Sequence, residues 1–126
     1  MSGKYMAYVG SYSYTGKAKG ITVFDVDVKN GTFRERCEME VDNSSYVIAS
    51  SDGKTLYSIA DEGVVSFRIL QNGSLARLNS APIRGMRGCH LCTDMEDKYV
   101  FVSGYHDGKT TVLSLNKDGS VGEIVD

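Results

Sequence analysis

The sequence predicts an all-β chain, a β-propeller of four-stranded antiparallel blades with about three blades present. Three observations carry that expectation. First, one motif recurs three times in one order: Gly20-Ile-Thr-Val-Phe-Asp-Val26 runs into Asn30-Gly-Thr-Phe33, Gly63-Val-Val-Ser-Phe-Arg-Ile69 into Asn72-Gly-Ser-Leu75, and Lys109-Thr-Thr-Val-Leu-Ser-Leu115 into Asp118-Gly-Ser-Val121. Second, the turn glycines Gly31, Gly73 and Gly119 lie 42 (73 − 31) and 46 (119 − 73) residues apart, the period of one propeller blade per repeat. Third, the apolar runs are short, β-branched and aromatic. They are bounded by Asn-Gly or Asp-Gly turns, and no long stretch shows the period of a helix.

The elements follow in order, with strands A to D running from ring centre to rim. Blade 1, about residues 4–41, opens at strand B with Tyr5-Met-Ala-Tyr-Val9 and has no strand A before it. Blade 2, about 45–81, is complete. Tyr46-Val-Ile-Ala-Ser50 turns at Ser51-Asp-Gly53 into Lys54-Thr-Leu-Tyr-Ser-Ile-Ala60, Val64 to Leu70 follows, and Gln71-Asn-Gly73 leads into Ser74-Leu-Ala-Arg-Leu78. Such turns supply the positive φ that tight hairpins require. Blade 3, about 89–126, repeats the unit with His90-Leu-Cys-Thr93, Lys98-Tyr-Val-Phe-Val102, Thr110 to Leu115, and Ser120-Val121 onward. Blades bury their faces only against neighbours, so three describe an unclosed ring. The unpaired inner edge of Tyr5 to Val9 and the open face of blade 3 lead us to expect self-association, a face-to-face pair supplying about six blades.

Composition narrows the function classes. The net charge is −2 and the 14 basic residues are scattered, which leaves no basic stripe for nucleic acid. No apolar run approaches the ~18 residues of a membrane span, and Met1-Ser-Gly-Lys-Tyr-Met6 lacks the apolar stretch of a secretory signal. Three cysteines, Cys37, Cys89 and Cys92, are an odd number without framework spacing, so a reduced cytoplasmic protein is expected.

Strand alternation sorts the loops into two faces. One carries the short A–B and C–D turns, which read as plain turn chemistry. The other carries the longer B–C loops and D–A connections: Ser11 to Lys17, Asp42 to Ser45, Asp61-Glu62, Arg84 to Gly88 and Tyr105-His-Asp107. A site is expected on this second face. Arg84 and Arg87 flank a glycine ahead of Cys89-His90. Their guanidiniums suit a phosphate or carboxylate, or pair with Asp61 or Glu62 as ordinary loop residues. His90 opens an inner strand, where an imidazole reaches the central channel as a general base or donor, or serves as a satisfied structural residue. His106 reads as exposed. In Cys89-His90-Leu-Cys92 the strand alternation sends the two cysteines to opposite faces, and no second Cys/His pair exists, so no metal and no cofactor are expected.

Taken in order, Tyr8-Val-Gly-Ser-Tyr12, Asn43-Ser-Ser-Tyr46, Ser51-Asp-Gly-Lys-Thr-Leu-Tyr57, Gly63-Val-Val-Ser-Phe67, Cys89-His-Leu91, Tyr99-Val-Phe-Val102 and Asp118-Gly-Ser-Val121 resemble the N-terminal part of the lactonase family of seven-bladed propellers. That family includes the bacterial 6-phosphogluconolactonases of the cycloisomerase-2 type and fungal enzymes of muconate lactones. The sequence departs from the family where Asn43-Ser44-Ser45 replaces Asn-Pro-Ser and Gly104-Tyr105 replaces Asn-Tyr. The resemblance implies hydrolysis of 6-phosphoglucono-1,5-lactone to 6-phosphogluconate in the pentose phosphate pathway. It implies His90 as base or oxyanion donor, Arg84 or Arg87 as the anion contact, and Tyr12, Ser45 and Tyr105 as polar walls. Other residues that the family is proposed to use fall partly in later blades. An inactive propeller fragment or binding module, and a muconate-type cycloisomerase, are the alternatives.

Overall fold

The computed structural model describes residues 4–126. Eleven strands form three antiparallel meanders: β1 (Lys4–Gly10), β2 (Gly20–Asp27) and β3 (Thr32–Glu40); β4 (Val47–Ala49), β5 (Thr55–Ile59), β6 (Gly63–Ile69) and β7 (Leu75–Pro82); β8 (His90–Thr93), β9 (Tyr99–Ser103), β10 (Thr110–Leu115) and β11 (Val121–Ile124). These are the blades expected from the repeat, the first lacking its innermost strand among the described residues. The turn glycines Gly31, Gly73 and Gly119 take φ of 67°, 88° and 88°, the left-handed region in which a side chain is strained.

The two central strands of the middle blade, β5 and β6, are buried on both faces over most of their length, and alternation divides their side chains between two interfaces. Leu56, Val65 and Phe67 pack with Ile21, Val23 and Val41 of blade 1. Tyr57, Ile59 and Val64 pack with Leu91, Val100, Val102, Leu113 and Val121 of blade 3. A propeller stacks radially because its blades share such apolar faces, and each core here lies between sheets rather than within one.

Two devices repeat at these interfaces. The Tyr8 hydroxyl donates to the Gly73 carbonyl and the Tyr57 hydroxyl to the Gly119 carbonyl, each at 2.7 Å, so strand B of one blade holds the C–D turn of the next. Phe101 occupies the corresponding place in blade 3 and carries no hydroxyl. The second device is a close approach whose small partner changes side. Gly10 of blade 1 lies against Ser44, whereas at the next interface Ile59 of blade 2 lies against Gly88, where a Cβ would stand 2.9 Å from Ile59 Cδ1.

The A–B turns are more than independent hairpins. The backbone N–H groups of Ser51 and Asp52 donate to the Asp97 carboxylate at 2.8 and 3.1 Å, which staples the turn of blade 2 to that of blade 3. Asp97 itself takes a left-handed φ of 55°.

Burial, first, and then the nearby carboxylates of Asp97, Asp52 and Asp118 push the Tyr57 hydroxyl up to about 12. An unfolded tyrosine titrates near 10. A raised folded value means that the protonated hydroxyl stabilises the fold fully below pH ~10 and that this contribution is lost as pH rises toward ~12. Tyr57→Phe is therefore expected to remove that alkaline loss. Thermal melts of both proteins between pH 9 and about 12 check it, and parallel pH profiles would contradict it.

Candidate functional site on the long-loop face

Five connections meet on one face: the β1–β2 loop, the β3–β4 link, the β5–β6 turn, the β7–β8 link and the β9–β10 loop. Asn43 organises the first three. Its φ of 54° is one of the few left-handed values tolerated by a residue other than glycine, and asparagine is among the types that adopt it. Asn43 Oδ1 accepts from the backbone N–H groups of Ser13 and Tyr14 at 2.9 and 3.2 Å, and the Asn43 N–H donates to Ser13 Oγ at 3.0 Å. Asn43 Nδ2 donates to both oxygens of Asp61 at 3.1 Å. The amide orientation is dictated by its partners, since backbone N–H groups only donate and a carboxylate only accepts.

Asp61 then receives Arg87. Arg87 Nη1 lies 2.9 Å from Asp61 Oδ1, with the two side chains 30% and 47% exposed. The guanidinium carbon sits 5.2 Å from the centre of the Tyr12 ring, within cation–π range. Tyr14 meets Tyr12 edge-on at 6.1 Å. Nη1 makes the one hydrogen bond that Arg87 forms among the described residues, so the Nε–Nη2 edge is free to take a planar or tetrahedral oxyanion in bidentate fashion.

His90 opens β8. Its neighbour Leu91 is buried in the core between blades 2 and 3, so alternation turns His90 the other way, and it is exposed. The imidazole packs on Tyr46, ring centres 4.7 Å apart and planes at 47°. Tyr46 and His90 hold the same place in successive repeats, each eight residues before the lysine that precedes strand B (54 − 46 and 98 − 90). Tyr46 was not among the candidates expected from the sequence, though this repeat equivalence marks it.

The remaining candidates fall in different surroundings. Arg84 is exposed and lines a recess with Ile83, Glu123 and Ile124 at the outer strand of blade 3, away from the Asp61–Tyr12 group that holds Arg87. Ser45 is half-buried beside Ser44, whose hydroxyl is buried against that of Ser58 at 2.6 Å. Tyr105 is 74% exposed and stacks on His106 at 4.1 Å. The β7–β8 link is fixed separately by Asp107. Its Oδ2 accepts from the Met86 N–H at 2.9 Å, and its carboxyl is held below the usual range by that bond first, then by the Lys109 N–H. Cys89 Sγ donates to the Ser103 carbonyl at 3.3 Å. No cluster of three or more His, Cys, Asp or Glu forms among the described residues, and no helix there is long and apolar enough to cross a membrane.

Comparison with known proteins adds to this geometry. The family model described as lactonase, 7-bladed β-propeller, matches residues 6–126. The 6-phosphogluconolactonase of Bacillus subtilis (strain 168) is 33% identical over 124 residues, covering 94% of this chain and 35% of that protein. The 6-phosphogluconolactonase of Formosa agariphila is 29% identical and is likewise covered over 35% of its length. A crystal structure of a candidate 6-phosphogluconolactonase from Bacteroides fragilis superposes with a TM-score of 0.90 at 30% identity, over 99% of this chain and 36% of that one. The periplasmic gluconolactonase of Pseudomonas aeruginosa shares the fold, with a TM-score of 0.87 at 22% identity. The chain thus spans roughly a third of the length of the relatives it matches.

Proposed function

Because the chain belongs to the lactonase family of seven-bladed β-propellers, we propose that it contributes three blades and part of the pocket to a 6-phosphogluconolactonase. The substrate would be 6-phosphoglucono-1,5-lactone, the product 6-phosphogluconate, and the setting the cytoplasmic pentose phosphate pathway. The observation that carries this reading is His90, exposed at the head of an inner strand against Tyr46, on the face where Arg87 keeps a free guanidinium edge.

In the proposed reaction a water oxygen adds to the lactone carbonyl carbon while His90 takes the water's proton. The C1–ring oxygen bond then breaks, the ring oxygen takes that proton from His90, and the carboxylic acid formed releases one proton to solvent. An imidazole suits the first transfer or, protonated, donates to the oxyanion. Arg87 holds the phosphate, Tyr12 and Tyr46 wall the sugar, and Ser45 and Tyr105 add polar contacts, with Arg84 at the periphery. Hydrolysis of the lactone, followed by proton release at constant pH, tests the proposal. Turnover above the spontaneous rate supports it, and none in the protein carrying these blades refutes it.

We also propose association with a second copy through the open blade faces. Tyr5, Val9 and Phe33 are 58%, 41% and 59% exposed on blade 1 and Tyr99 is 41% exposed on blade 3, an amount of apolar surface that favours burial. Native mass measured by light scattering across a tenfold dilution of this chain is expected to exceed 13.7 kDa, and a concentration-independent monomer would end the proposal.

A further inference from the structure

We infer that Asp61 and Asn43 are positioning residues for Arg87, which they hold with its free edge presented to an anionic group of the substrate. The inference rests on the lactonase reading of this site and specifies how its anion contact is preset. A free arginine side chain samples many rotamers and loses that freedom when it binds. Here three contacts remove the freedom beforehand: the Asp61 carboxylate on Nη1, the Tyr12 ring near the guanidinium, and Asn43 Nδ2 on the far side of the carboxylate. The chelation of both Asp61 oxygens by one amide fixes the plane of the carboxylate, and so the direction from which Arg87 approaches. Asn43 is fixed in turn by two backbone N–H groups of the β1–β2 loop, so the arrangement ties the loops of blades 1 and 2 to one guanidinium carried on the link to blade 3.

Asp61 also has an opposing effect, because a carboxylate beside the anion site repels a phosphate. Its 47% exposure screens that repulsion across the width of the guanidinium, whereas the orienting hydrogen bond at 2.9 Å and the Tyr12 ring act at direct contact. Orientation is therefore expected to dominate.

Two variants test this. Asp61→Asn removes the charge that anchors Arg87. Asn43→Asp keeps the acceptor for the Ser13 and Tyr14 N–H groups and tolerates the left-handed backbone, but sets a second carboxylate against Asp61. Each is expected to raise KM for the phosphorylated lactone about tenfold, the scale of one charge-assisted contact. The expectation includes kcat within about twofold and little change for the unphosphorylated lactone, with thermal melting confirming that each variant is folded at the assay temperature. Calorimetric titration with 6-phosphogluconate reads the same contact without turnover and is expected to weaken in step. Unchanged or tighter binding in the variants, or equal losses on both lactones, would overturn the inference while leaving the lactonase reading intact. A wild-type protein that binds 6-phosphogluconate but hydrolyses no lactone would overturn the reading instead, and weaker titration in the variants would still support the inference. No binding by wild type would overturn the inference.

Discussion

Phe67→Ala is expected to destabilise the protein by about 3–5 kcal/mol, the range for removing a fully buried aromatic ring. Phe67 is 0% exposed on the blade 1 side of the middle sheet, and its neighbours Ile21, Val23, Val41, Leu56, Val65 and Leu75 come from both sheets of that interface. Strands paired by backbone hydrogen bonds on both sides cannot shift singly to fill the void, so the cavity term adds to the lost transfer energy. Domains are stable by only about 5–15 kcal/mol, which makes this a large share of the whole. The same change at Phe33, 59% exposed and touching Phe24 edge-on at 5.7 Å, is expected to cost below about 1 kcal/mol. Urea titration compares the two through the midpoint at constant slope. Equal midpoint shifts would mean that the inter-blade core is not what holds the sheets together.

The second large effect is on rate. His90→Ala is expected to lower kcat for lactone hydrolysis by about a hundredfold or more, the usual worth of a positioned general acid or base. Stability should be nearly untouched, because His90 is exposed and its one aromatic neighbour, Tyr46, remains packed against the core between blades 2 and 3. A rate loss below tenfold would remove the imidazole from the proton transfers. A large fall in melting temperature would instead assign His90 a structural role.

The blades were legible in the sequence because hairpins impose local requirements. Asn30-Gly31, Asn72-Gly73 and Asp118-Gly119 need left-handed backbone, and short β-branched and aromatic runs bounded by such turns, as at Lys54 to Ala60, suit strands. That blade 1 has no inner strand among the described residues was legible too, because the first apolar run already carries strand B. Contacts between repeats were not. Nothing local marks Asp97 as the acceptor of two N–H groups 45 and 46 residues away. Nor does anything local show that the small residue shifts from Gly10 at one interface to Gly88 at the next. The site was legible by residue type but not by partnership. Arg84 and Arg87 are three apart in sequence and read as a pair, yet the bend at Met86, held by Asp107, sends them to different neighbours. Asp61 appeared only as an ordinary partner, and Asn43 stood out only as part of the Asn43-Ser-Ser-Tyr46 motif, with nothing local to show that its amide connects the loops.

The central claim, that this face holds an anionic lactone through Arg87, is tested most directly by the ratio of kcat/KM for 6-phosphogluconolactone to that for its unphosphorylated counterpart, in wild type and in Arg87→Ala. The expected result is a fall of about tenfold to a hundredfold in that ratio, since a guanidinium–phosphate contact is lost on one substrate only. An unchanged ratio, with both lactones slowed alike or neither slowed, would contradict it.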